Sequence, residues 1–173
     1  MARDLNLAAL LAALDRHRVV YVLIGGMAAV AHGSPFPTED VDITPATGKD
    51  NLARLSSALE ELDARVRVEG VPDGLPFAHD ADSLAAGQTW NLTTQYGDLD
   101  LSFVPDGTTG YDDLRRDAEE TDLLGVTVPV ASLADIIRSK QAANRPKDQR
   151  VLPTLRDLLA RISNHDTELR PTA

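Results

Sequence analysis

Asp40-Val41-Asp42 sets two carboxylates two residues apart in a stretch, Asp40 to Thr44, that alternates polar and apolar side chains. Successive side chains of a β-strand point to opposite faces, so Asp40 and Asp42 share one face and Val41 and Ile43 the other. Ionised carboxylates this close repel unless water or a cation lies between them. Hard oxygens suit Mg²⁺, or Mn²⁺, which takes one or two carboxylates together with substrate phosphates. The plainer reading is a strand whose polar face is merely solvated. Asp98-Leu99-Asp100-Leu101-Ser102 repeats the pattern, and if the two strands are neighbours a three-carboxylate set assembles. Two-metal phosphoryl transfer needs such a set, one cation activating the attacking oxygen and another stabilising the departing one.

Two further features suit phosphate. Gly25-Gly26 stands between a β-branched run and a helix-compatible one, where a backbone without Cβ atoms can approach phosphate and a helix N-terminus offers free N-H groups. It is neither a G-x-G-x-x-G nor a P-loop, and any tight strand-to-helix turn favours glycine. Lys140 continues the apolar stripe of Leu133, Ile136 and Ile137 at the next helical turn, which aims a cation inward, either past the end of the core or towards an anion such as a triphosphate. Arg145, Lys147 and Asp148 cluster after it, as a surface ion group would. His32 beside a glycine reads as structural, and Trp90 as core.

The elements that must position these groups follow from periodicity. Leu7, Leu10, Leu11 and Leu14 recur at helical spacing, Val19 to Ile24 reads as a buried strand, and Met27 to Ala31 as a short helix ending at Gly33. Lys49 to Leu62 reads as a helix and Arg65 to Val68 as a strand. Glu69 to Gly87, rich in Gly, Pro and Asp, reads as a long irregular connection. Gln88 to Gln95 and Asp98 to Val104 read as strands joined at Tyr96-Gly97, Tyr111 to Glu120 as a short helix, and Gly125 to Val130 as a strand. Ser132 opens a helix with Asp135 in its first turn, Arg145-Pro146 closes it, and a last helix covers about Lys147 to Ser163. A hairpin amid alternating helices and strands predicts an α+β fold, a mixed sheet flanked by helices.

The 173 residues suit one domain, expected over 1–165, with a polar tail over 166–173. Without cysteine there is no disulfide frame, thiolate metal site or thiol nucleophile. The early apolar stretch is short and runs into Asp15-Arg16-His17-Arg18, unlike a signal peptide. No segment approaches the roughly 20 apolar residues of a membrane span, so a cytoplasmic protein without membrane contact is expected. The formal charge of -10, with 27 acidic against 17 basic residues, argues against a broad nucleic-acid-binding surface.

Ile24-Gly25-Gly26 followed by Thr38-Glu39-Asp40-Val41-Asp42-Ile43 resembles the signature of the nucleotidyltransferase superfamily. Gly97 to Leu101, Gly110-Tyr111-Asp112, Leu133 to Lys140 and Arg145-Pro146-Lys147-Asp148 resemble the minimal nucleotidyltransferases related to AbiEii-type toxins. The resemblance implies the polymerase-β-like nucleotidyltransferase fold, with Asp40, Asp42 and Asp100 as metal ligands and catalytic acids, Asp100 also as base for an attacking hydroxyl. Gly25, Gly26, Thr38, Lys140 and Asp148 would form the nucleotide-binding set. It further implies a Mg²⁺ cofactor, an NTP substrate, an acceptor that is tRNA or a small molecule, and in the toxin setting a cognate antitoxin. Gly26 replaces the serine of many relatives, Phe36 stands where many carry arginine, and Arg150 where an aspartate is frequent. The alternative on the same fold is a module that binds a nucleotide or a partner without catalysis.

Overall fold

The computed structural model describes residues 3–169. α1 (Leu7–Arg16) starts at Asn6, whose side chain accepts from the Ala9 N-H, and buries Leu10, Leu11 and Leu14. It leads to β1 (Tyr21–Ile24), which passes without a loop into α2 (Gly25–Ala31). β2 (Asp40–Pro45), α3 (Lys49–Glu61) and β3 (Arg65–Val68) follow, close to the expected bounds.

The expected irregular connection after β3 is instead ordered as β4 (Val71–Leu75) and α4 (Ala81–Ala86). Among the described residues β4 pairs only with β3, at the edge of the sheet, where a proline such as Pro72 is tolerated and Gly74 at φ +67° sits beside a register shift. Its composition hides it because an edge strand tolerates the residues that central strands exclude.

β5 (Thr89–Thr94) and β6 (Gly97–Ser102) form the expected hairpin. α5 (Tyr111–Arg116) is shorter than expected, because Glu119 and Glu120 belong to β7 (Glu119–Leu123). β7 is the other edge, charged along its length, and joins β8 (Val126–Val130) through Leu124 and Gly125, both at positive φ as a two-residue hairpin turn requires. α6 (Leu133–Ala143) is capped by the Ser132 hydroxyl, which accepts from the Asp135 N-H, and ends at Asn144 in the left-handed conformation. α7 (Pro146–Glu168) runs beyond Ser163 into the segment expected as tail; 170–173 lie outside the described residues.

Among the described residues there is one sheet of eight strands in the order β4-β3-β5-β6-β2-β1-β8-β7. It is mixed, as expected: β2 runs parallel to β6 and β1 to β8, and the remaining pairs are antiparallel. Val41, Ile43, Leu92, Leu99 and Leu101 are fully buried and join Leu10, Leu11 and Leu14 of α1 and Leu52, Leu55 and Leu59 of α3 in one apolar cluster. The residues alternating with those of β2 and β6 are the acids, so burying one face of these strands turns the carboxylates to the other. No described helix is long and apolar enough to cross a membrane.

Candidate active site

The parallel pairing of β2 and β6 sets Asp40 opposite Asp98 and Asp42 opposite Asp100. Oxygens of Asp40, Asp42 and Asp100 all lie within 4.8 Å of one another, so the three acids expected to meet do meet. Burial first, then the charges of Asp40 and Asp100, push the Asp42 carboxyl up to about 7, against the weaker pull of Lys147 and Lys140. Asp100 is also held above the ordinary carboxylate range, chiefly by burial, although the Arg67 guanidinium opposes this. Three hard oxygen donors whose mutual repulsion and burial disfavour their own charge are what a divalent cation such as Mg²⁺ or Mn²⁺ relieves, so the residues fit such an ion.

The glycine turn is shaped around this cluster. Gly25 has φ +69°, and a Cβ there would overlap the Asp42 carboxylate. At Gly26 a Cβ would lie 3.1 Å from the Thr38 hydroxyl. Thr38 donates from Oγ1 to Asp40 Oδ1 at 3.0 Å, so it orients one of the acids. The second glycine thus makes room for the group that aims Asp40, which the sequence had placed only with the nucleotide-binding set.

Lys140 is nearly buried, with its side chain 16% exposed and Nζ 3.5 Å from Asp148 Oδ1. Asp148 is not a surface ion group: its side chain is fully buried. It accepts from Arg145 Nε at 2.7 Å and from the Arg145 backbone N-H at 3.2 Å. Burial would raise its carboxyl, but the bond and charge of Arg145 and the charge of Lys140 outweigh this and hold it below the usual range. Asp148 is thus the buried counter-charge shared by Arg145 and Lys140 at the junction of α6 and α7.

All of these groups line one cleft of about 580 Å³. Gly25, Gly26 and the three acids lie on its sheet side, and Lys140, Arg145 and Lys147 come from α6 and the start of α7. Phe36, 38% exposed, also lines it. His32 is elsewhere: its Nε2 donates to the Ala131 carbonyl at 2.8 Å and ties the end of α2 to the end of β8. Trp90 packs against Phe77 with ring centroids 5.3 Å apart and donates to the Leu84 carbonyl, which fits a packing role.

Sequence reasoning missed Arg67. From β3 it reaches across β5 to β6, its Nη2 2.8 Å from Asp100 Oδ1 and its Nη1 3.4 Å from Asp98 Oδ2. The alternation Arg65-Val66-Arg67-Val68 carried the signal, since it aligns both arginines on one face, but the pairing of β3 with β5 was needed to show that this face is that of the acids.

No known protein family and no curated protein matches the sequence. Solved structures do resemble the fold. The lincosamide antibiotic adenylyltransferase LnuA, with lincomycin bound, superposes with a TM-score of 0.59 at 16% identity, over 90% of this chain and 99% of the other. ANT(2'')-Ia in complex with adenylyl-2''-tobramycin gives 0.53 at 18% identity, over 92% of this chain and 89% of the other. The Thermotoga maritima protein TM1012, assigned as a nucleotidyltransferase, gives 0.50 at 19% identity, over 90% and 91%. With its mixed sheet, the glycine turn at its centre and the acids beside it, this chain has the nucleotidyltransferase fold.

Proposed function

We propose that the chain transfers a nucleoside monophosphate from an NTP to a hydroxyl of a small-molecule acceptor. The acceptor oxygen attacks the α-phosphorus in line, the bond from the α-phosphorus to the bridging oxygen breaks, and pyrophosphate leaves with that oxygen. The observation that carries this reading is the convergence of three carboxylates within 4.8 Å at a glycine turn, facing Lys140, Arg145 and Lys147 across one cleft.

Asp40, Asp42 and Asp100 would hold the divalent cation, Mg²⁺ or Mn²⁺, which when bound neutralises charge on the phosphates and lowers the pKa of the attacking oxygen. Thr38 keeps Asp40 aimed into the cleft. Asp100, on β6 with Ser102 and beside Thr89 and Asn91 of β5 in the cleft lining, takes the proton of the acceptor hydroxyl. Gly25 and Gly26 leave the backbone open to the phosphates, and Lys140, Arg145 and Lys147 offset their charge.

A small acceptor is supported by the net charge of -10, which disfavours a polyanion, and by the antibiotics bound to LnuA and ANT(2'')-Ia. The toxin-like reading, with tRNA as acceptor and a cognate antitoxin, rests on the motif Arg145-Pro146-Lys147-Asp148, of which Arg145, Lys147 and Asp148 line the cleft. A setting in the cytoplasm suits the use of NTPs. The deciding assay is pyrophosphate release from ATP, CTP, GTP and UTP with Mg²⁺ or Mn²⁺, offered lincomycin, tobramycin, uncharged glycosides or tRNA. Release that requires a small molecule supports the proposal, and release that requires tRNA replaces it with the toxin reading. Tight binding of an NTP without any release marks the non-catalytic module, and no binding of any NTP refutes the site.

A further inference from the structure

The register of β2 and β6 sets four acids, not three, in a two-by-two array: Asp40 opposite Asp98 and Asp42 opposite Asp100. Like charges directly across neighbouring strands destabilise a sheet. Arg67 meets the β6 side of this array. It stands on β3, with β5 between it and β6, and its side chain is 33% exposed. Three contacts fix its guanidinium: Nη1 donates to the Leu92 carbonyl at 3.0 Å and lies 3.4 Å from Asp98 Oδ2, and Nη2 lies 2.8 Å from Asp100 Oδ1. That Asp100 oxygen is buried, and the Arg67 guanidinium is the cation paired with it. The bond to the Leu92 carbonyl tethers the guanidinium, and its approaches to Asp98 and Asp100 are ion pairs that divide one positive charge between the two acids.

We propose that Arg67 is a positioning residue that sets how strongly the carboxylate cluster binds a divalent cation. It stations one positive charge against Asp100, while Asp98 and Leu92 keep it from moving wholly onto that acid. The three cluster acids then present less than their full negative charge, and a cation is held firmly only when triphosphate oxygens add charge of their own. Cation and nucleotide binding are coupled in this way. The inference rests on reading Asp40, Asp42 and Asp100 as the cation site.

The probe is Mn²⁺ alone, titrated into the full-length, metal-free protein and followed by the electron paramagnetic resonance of the free ion. Arg67→Gln should bind Mn²⁺ tighter, by about tenfold or more, since a unit charge within a few ångströms of the site is removed from a poorly screened cleft. Arg67→Lys, which keeps the charge, should stay nearer to the wild type than Arg67→Gln does. Asp98→Asn frees Arg67 to bear on Asp100 alone and removes a negative charge, so it should bind Mn²⁺ more weakly. A purely structural role for Arg67 predicts the opposite sign, because a loosened site binds less well. Wild-type binding of Mn²⁺ with Arg67→Gln unchanged or weaker overturns this inference and leaves the cation site standing. If Arg67→Gln does not fold, an Asp98→Asn affinity equal to that of the wild type overturns it as well. Wild-type protein that binds no Mn²⁺ removes both this inference and the cation site.

Discussion

Replacing Asp42 with asparagine should stabilise the metal-free protein, by an amount that depends on pH. In the folded chain the carboxyl is pushed up to about 7 from an ordinary value of 3.8. An acid whose folded pKa is raised binds more protons folded than unfolded between those two values, so its ionisation lowers stability as pH climbs through that window and holds it lower above. At 1.36 kcal/mol per pKa unit the destabilisation is at most about 4 kcal/mol at pH 8, and about 1.5 kcal/mol at pH 5, where the unfolded acid alone is largely ionised. Asparagine keeps the shape and drops the charge. The gain of Asp42→Asn over the wild type should therefore be larger at pH 8 than at pH 5 by about 2.5 kcal/mol, on the order of 5–10 °C in Tm for a chain of this size. The assay is thermal unfolding of both proteins in chelator at the two pH values, repeated with excess Mn²⁺, which should raise the wild-type Tm at pH 8 and not that of the variant. An equal increment at both pH values, or a variant no more stable than the wild type at pH 8, would refute the reasoning that burial and the neighbouring acids strain this carboxylate.

Gly25→Ala puts a Cβ at φ +69° against the Asp42 carboxylate and should lower stability by about 2–3 kcal/mol, read from the urea midpoint. A midpoint within error of the wild type contradicts the packing described for the turn. Asp148→Asn leaves Arg145 and Lys140 without their buried counter-charge and should lower stability by about 2–4 kcal/mol, which the same urea series measures. Lys140→Met keeps the apolar stem and leaves Arg145 on Asp148; calorimetry should find NTP affinity reduced on the order of tenfold or more with little change in Tm, and unchanged affinity would take Lys140 out of the phosphate site.

Local order was largely written in the chain. The run Val19 to Ile24, the alternation in Asp40 to Thr44 and the stripe Leu133, Ile136, Ile137 fix strand, strand and helix, because side-chain period decides which face is buried. The same period puts Asp40 with Asp42 and Asp98 with Asp100 on shared faces, and it aims Lys140 inward. What the sequence could not hold is adjacency. That β2 lies beside β6 and in register, so that Asp42 meets Asp100, is decided by pairing between segments more than 50 residues apart. Arg67 reaches the acids only because β5 lies between β3 and β6, and Asp148 is a buried anchor only because α7 folds back beside α6. The edge strands β4 and β7 escaped notice for a related reason: a strand paired on one side needs no apolar run, and only the neighbour that claims it makes it a strand. Residue types and their period determine faces and chemistry, whereas the meeting of distant segments is an energy of the whole fold, present only once the sheet has closed.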